Sequence, residues 1–222
     1  YSLSAAAVSG RIYAIGGHPD GGSTSLGTNE EYDPVANTWA TKTAMPTIRG
    51  RSAAAAVNGK IYVVGGWNVS GGTRTTNEAY DPVLNSWSGM APMPTARSSP
   101  GAAVVNGAVL VVGGSTGCCS YFATTEEYNP TTNSWTAKAS MSTGRSFPGV
   151  VEVNGKIYAI GGEASGASYS AANEEFDPVL NSWASKSALP TASRYATTSA
   201  AMGTIFVIGG NYGGTTGANQ AY

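Results

Sequence analysis

Five stretches of the chain repeat one pattern of apolar and polar positions: AVSGRIYAIGG (7–17), AVNGKIYVVGG (56–66), VVNGAVLVVGG (104–114), VEVNGKIYAIGG (151–162) and AMGTIFVIGG (201–210). Each reads as a strand, a two-residue turn and a second strand that runs into a glycine pair. In three copies the turn is Asn-Gly, at Asn58-Gly59, Asn106-Gly107 and Asn154-Gly155. Asn-Gly supplies the positive φ of a type I′ turn, so these two strands, a and b, are predicted to pair antiparallel. Strand b is apolar nearly throughout, as in Ile61, Tyr62, Val63 and Val64, which requires cover on both of its faces. A third strand, c, ends in EEYDP (30–34), EAYDP (78–82), EEYNP (126–130), EEFDP (174–178) and QAY (220–222). Asx-Pro starts a reversal, because proline presets φ and the Asx side chain bonds the backbone beyond it. NTW or NSW then places Trp39, Trp87, Trp135 and Trp183 on a fourth strand, d, where one large aromatic per copy is expected as a core spacer between sheets.

The glycine pairs, at 16–17, 65–66, 113–114, 161–162 and 209–210, are 49, 48, 48 and 48 residues apart. A four-strand unit recurring at this period predicts an all-β toroid of stacked four-stranded antiparallel blades, a β-propeller. The 30 glycines, 11 prolines and 11% charged residues fit many tight turns between short strands. A net charge of -1 offers no field for nucleic acid or an anionic membrane. No apolar run reaches the length of about 20 residues that spans a bilayer, so membrane insertion is not expected.

A glycine pair after an apolar strand, an aromatic about 15 residues on and a tryptophan 7 residues beyond that resemble the kelch repeat. The chain is therefore similar to the kelch-repeat β-propeller family over essentially its whole length. One propeller domain or segment is expected over 1–222, with repeats of about 1–49, 50–97, 98–145, 146–193 and an incomplete 194–222. The fifth copy stops at the end of strand c, so its blade is expected to lack the outer strand. Further repeats or an added domain are expected to cover that edge, because an open edge invites aggregation. The resemblance implies a binding scaffold more often than an enzyme.

Candidate ligand contacts come from where the copies disagree, since repeat scaffolds gather divergent loops on one face. His18, Trp67, Ser115, Glu163 and Asn211 hold equivalent positions just past the glycine pairs, with Asn68 and Tyr212 beside two of them. Tyr121, Phe122 and Tyr169 add aromatics to loops that are otherwise rich in glycine and serine. Arg49, Arg97 and Arg145 recur once per copy, and Ser193 replaces them in the fourth. In kelch domains that recognise acidic peptides, arginines near this position line the pocket, which makes Arg97 and Arg145 candidates too. Recurrence argues instead for framework pairing with strand c carboxylates such as Glu30, Glu78, Glu126 and Glu174. Arg51 and Arg74 do not recur and are the better ligand candidates.

Cys118 and Cys119 are adjacent. A vicinal disulfide on a binding loop and two free thiols are both open readings. One histidine cannot supply the ligands of the family's copper oxidases, and neighbouring thiolates with a distant histidine make no tetrahedral site. No metal or cofactor is expected. The leading reading is a non-catalytic recognition module that binds a protein or a glycan through the b–c loops and the channel mouth. The alternative is a sugar mutarotase or epimerase resembling the bacterial sialic-acid isomerising propellers, with Glu163 as general base beside Arg51 or Arg97. Few lysines, many small residues and the cysteine pair point to an extracellular or cell-surface protein, and the cytoplasmic class of kelch modules is the other option. Asn68-Val69-Ser70 is a lone glycosylation sequon.

Overall fold

The computed structural model describes residues 1–19, 24–117, 120–211 and 219–221. Among them lie four four-stranded antiparallel sheets, in the order a-b-c-d along the sheet, and one three-stranded sheet in the order a-b-c. Strands a to d are Ser4–Val8, Arg11–Ile15, Asn29–Asp33 and Thr38–Thr41 in sheet one, and Ala53–Val57, Lys60–Val64, Asn77–Asp81 and Ser86–Gly89 in sheet two. Sheet three has Gly101–Val105, Ala108–Val112, Thr125–Asn129 and Ser134–Lys138; sheet four has Gly149–Val153, Lys156–Ile160, Asn173–Asp177 and Ser182–Lys186. Sheet five has Thr197–Ala201, Thr204–Ile208 and Asn219–Ala221. Strands a of consecutive sheets lie side by side. Tyr222 falls outside the described residues. Among the described residues, no helix is long and apolar enough to cross a membrane.

All five a–b turns have the same left-handed geometry, including Ser9-Gly10 and Met202-Gly203 as well as the three Asn-Gly pairs. Register, set by the alternation of the strands, overrides the weaker preference of Ser and Met for positive φ. The c–d reversal is bonded as expected, with Asp33 Oδ1 accepting from the Val35 and Ala36 amides at 2.8 and 3.1 Å. The asparagine that follows is also left-handed, at Asn37, Asn85, Asn133 and Asn181, a conformation asparagine tolerates better than most residues. The glycine pairs sit where the next connection crosses. A Cβ on Gly65 would lie 2.7 Å from the Arg97 carbonyl oxygen, and one on Gly66 2.8 Å from that of Gly50.

The core lies between sheets rather than within one layer. Tyr13, Ile15 and Met45 of the first repeat pack on Ile61, Val63 and Tyr80 of the second. Tyr62, Val64 and Met93 then pack on Val109, Val111 and Tyr128. Both faces of strand Lys60–Val64 are thereby covered, as its composition required. The tryptophans depart from expectation. Trp87, Trp135 and Trp183 are only half-buried, and Trp39 is 60% exposed, because each packs outward against the preceding sheet and none is described in front of sheet one.

Candidate functional site

The recurring arginines belong to the framework. Arg49, Arg97 and Arg145 are fully buried and pair with Glu78, Glu126 and Glu174. Arg145 Nη2 lies 2.9 Å from Glu174 Oε1 and also donates to the Ala159 carbonyl at 3.1 Å. Burial pushes each guanidinium below its ordinary value, and the partner carboxylate acts against that shift. Arg97 and Arg145 are therefore corrected from ligand candidates to structural ion pairs, since no ligand reaches a fully buried group. Phe122 goes with them, its ring 5.5 Å from the Arg97 guanidinium carbon. Arg74 also lies off the mouth; it is half-buried beside Arg49 and its carbonyl accepts from the Arg97 amide. Asn68 is buried, with its amide donating to the Ile48 carbonyl at 2.6 Å and accepting from the Ser70 amide at 2.8 Å. It braces its loop, and the sequon side chain is not presented to solvent.

The residues just past the glycine pairs do converge. Trp67, Ser115, Glu163 and Asn211 form antiparallel bridges with Gly50, Ser98, Ser146 and Arg194, and the His18 amide donates to the Tyr1 carbonyl at 2.8 Å. Two of the divergent loops are small hairpins: Trp67–Asn68 pairs with Gly72–Thr73, and Glu163–Ala164 pairs with Ser168–Tyr169 across a single 3-10 turn. In these two loops, divergence sits on paired backbone.

The position that follows those bridge partners forms the rim; sequence reasoning had offered Arg51 there as a ligand contact but missed its counterparts in the other copies. Ser2, Arg51, Ser99, Phe147 and Tyr195 all have left-handed φ, between 52° and 62°. Non-glycine residues hold such a conformation only where their surroundings impose it. Backbone bonds impose it here: the Arg51 amide donates to the Ser2 carbonyl at 2.9 Å, Ser99 to Arg51 at 2.7 Å and Phe147 to Ser99 at 2.8 Å. This belt links sheet to sheet around a cavity of about 730 Å³, whose wall includes all five rim residues and His18. A second cavity of about 300 Å³ adjoins it, sharing Arg51, Ser99, Phe147 and Tyr195. The signal available in the sequence was the set Ser, Arg, Ser, Phe, Tyr at one repeat position, as divergent as the set beside the glycines.

Two clusters face each other across the mouth. On one side the Arg51 guanidinium carbon lies 5.6 Å from the Trp67 ring, and Trp67 in turn lies 5.5 Å from His18. Arg51 is exposed and has no carboxylate partner among the described residues. His18 is buried; its Nδ1–H donates to the Thr24 carbonyl at 2.8 Å, and its Nε2 lies in the space that Gly50 leaves by having no side chain. On the other side Glu163 accepts from the Tyr121 hydroxyl at 2.8 Å and pairs with Arg194 at 2.6 Å. Arg194 is stacked between Tyr169 and Tyr195, with ring centroids 4.9 and 4.8 Å from its guanidinium carbon. The hydrogen bond that Arg194 donates to Glu163 raises its guanidinium above the ordinary value. The partner of Glu163 is thus Arg194, not Arg51 or Arg97 as the sequence suggested, because the bridge from Ser146 to Glu163 turns the carboxylate toward the following sheet. Phe147 meets Tyr195 edge-on at 4.4 Å. Tyr212, Cys118 and Cys119 fall outside the described residues. Among those described, no group of histidine, cysteine and carboxylate side chains is placed to hold a metal ion.

The sequence matches the family model of the KLHDC2/KLHL20/DRC7 Kelch-repeats domain over residues 1–162, and the Kelch motif over 144–190. No curated protein matches it. Among solved structures, one titled "Structure of YjhT" superposes with a TM-score of 0.74 at 17% identity, covering 99% of this chain and 93% of that one. At that identity the likeness is one of fold.

Proposed function

The chain belongs to the kelch-repeat family, and from that premise we propose that it is a propeller-type recognition module that binds its partner at the belt-lined mouth. Interaction and scaffold roles are what a kelch-repeat domain suggests. The observation that carries the reading to the mouth is Arg51. It is a strained, exposed cation, stacked on Trp67 and facing a cavity, with no carboxylate partner among the described residues. A planar guanidinium held in this way suits a carboxylate, which it can engage through two hydrogen bonds. The hydroxyls of Ser2 and Ser99 and the rings of Phe147 and Tyr195 add polar and stacking contacts on the same wall. The ligand is an acidic segment of a partner protein or an acidic glycan.

A combined peptide and glycan array tests the reading, with the wild type beside Arg51→Ala and Trp67→Ala. Binding should be lost with the first change and weakened with the second. Undiminished binding by both variants overturns it.

A second reading is supported by the Tyr121, Glu163 and Arg194 cluster, which places a carboxylate between a phenol and a guanidinium at the same mouth. Sugar isomerisation is the chemistry such a group can perform, with Glu163 passing a proton. Turnover of a free reducing sugar that disappears in Glu163→Gln would promote it. Export to the cell surface completes the proposal on composition alone, and a mass increase on mild reduction would show Cys118 and Cys119 joined.

A further inference from the structure

Ten of the chain's 12 lysines and arginines are held in ion pairs with aspartate or glutamate, from Arg11 with Asp33 to Arg194 with Glu163. Arg51 and Arg74 are the two with no carboxylate partner among the described residues. Arg51 has the mouth before it. Arg74 lines neither mouth cavity, so the mouth does not explain its charge.

Backbone bonds fix what Arg74 corresponds to in the other copies. Its amide donates to the Gly66 carbonyl at 2.9 Å, as those of Leu26, Phe122 and Ser170 do to Gly17, Gly114 and Gly162 at 2.9, 2.8 and 2.9 Å. The four residues are equivalent, and the second copy alone among them carries a charge there. The role of the position is clearest at Phe122, whose ring lies over the Arg97 guanidinium and covers a cation with an aromatic face. In the second copy the cation is Arg49, which donates to the Gly65 carbonyl as Arg97 does to that of Gly113, both at 2.9 Å. Arg74 thus brings another guanidinium to one that Glu78 already neutralises. Burial, and to a smaller degree the Arg74 charge, push Arg49 below its ordinary value, and Glu78 opposes both.

Arg74 is also fixed in place. Its guanidinium lies on the backbone of Gly71, where a Cβ would come within 2.7 Å of Cζ, beside the hairpin of Trp67–Asn68 and Gly72–Thr73. Its Nε–H is buried and finds no acceptor among the described residues. An unsatisfied buried donor is costly, and a leucine, phenylalanine or serine would avoid that cost together with the like charge. An oxyanion engaged by the guanidinium fork removes both. Two guanidiniums against the one carboxylate of Glu78 leave a single positive charge, so a single negative charge completes the group.

We propose that Arg74 is a second recognition point, on the b–c loop of sheet two and outside the mouth, and that it takes a singly charged oxyanion, a carboxylate or a sulfate monoester. The neutral residues at the same position in the other copies indicate that the fold has no need of the charge.

The test is titration of the protein with sodium acetate and with sodium methyl sulfate, at ionic strength held constant with sodium chloride, followed by the NMR signal of the Arg74 Nε–H, which is assigned by its absence from Arg74→Phe. A saturable shift is expected with at least one oxyanion, and the one that moves the signal at lower concentration identifies the source. The shift should persist in Arg51→Ala, which separates this point from the mouth. In chloride alone, Arg74→Phe and Arg74→Leu should unfold at the same urea concentration as the wild type or a higher one. A signal that neither oxyanion moves, one that chloride moves as far, or a shift that disappears in Arg51→Ala would each overturn the proposal. A lower urea midpoint in both variants would place Arg74 in the framework and overturn it too.

Discussion

Arg97 and Arg51 belong to the same repeating unit of 48 to 49 residues, but one is framework and the other is not. Arg97 recurs as Arg49 and Arg145, is fully buried, and pairs with a glutamate at a fixed register position. Arg51 alternates with Ser2, Ser99, Phe147 and Tyr195, is exposed, and has a cavity in front of it. Position in the repeat thus decides whether a guanidinium is structural or free for recognition. The fourth copy supports the distinction from within the chain. Ser193 stands where the arginine would be, and Gln220, opposite Val207, stands where Glu78 lies opposite Val63. Charge is lost from both partners together, as expected where an unpaired buried charge is costly.

The largest effect expected is at the framework. Glu126→Gln leaves the Arg97 charge buried without its carboxylate and should lower unfolding free energy by about 3–5 kcal/mol, read as a shift in the urea midpoint. The double change Arg97→Ser with Glu126→Gln, which copies the junction of the fourth and fifth repeats, should cost clearly less. Equal cost would mean that the pair is not coupled. At the rim the sign reverses: Arg51→Gly relieves a left-handed residue and should leave stability unchanged or raise it by about 1 kcal/mol, while array binding is lost. A loss of stability comparable to that of Glu126→Gln would place Arg51 in the framework after all.

The smallest effect concerns the outer surface of sheet four. Glu175 accepts from the Tyr158 hydroxyl at 2.6 Å and pairs with Lys186 at 2.9 Å. The Tyr158 bond, helped by Lys186 and opposed by burial, holds its carboxyl below the ordinary range. A depressed carboxylate contributes stability that is present above its unfolded value and is lost as pH falls through the folded one. Glu175→Gln should therefore flatten the acid limb of the stability curve below pH about 4, by only about 0.5 kcal/mol because solvent screens the pair.

Much of this was legible in the residues themselves. Strand order, the a–b turns and the double cover of strand b follow from alternation and the glycine pairs, because they depend on local backbone preference and on a period of 2. The framework role of Arg49, Arg97 and Arg145 was legible too, since each recurs ahead of a strand c that carries a carboxylate, at Glu78, Glu126 and Glu174. Other features were not. Nothing local shows that Asn85 and Trp87 bond the amide and carbonyl of Thr43, a residue more than 40 positions earlier. Nor does anything local show that Glu163 turns to Arg194, or that Ser99 and Phe147 are locked left-handed by a belt running through other repeats.

By itself, then, the sequence determined the repeating unit and the fold it builds, since turn chemistry and the period of apolar residues act within one copy. Only the tertiary structure decided which residues reach the mouth and which arginines have no carboxylate partner among the described residues. Those properties arise between copies, where backbone groups far apart in the chain meet, and no spacing along a single repeat encodes such a meeting.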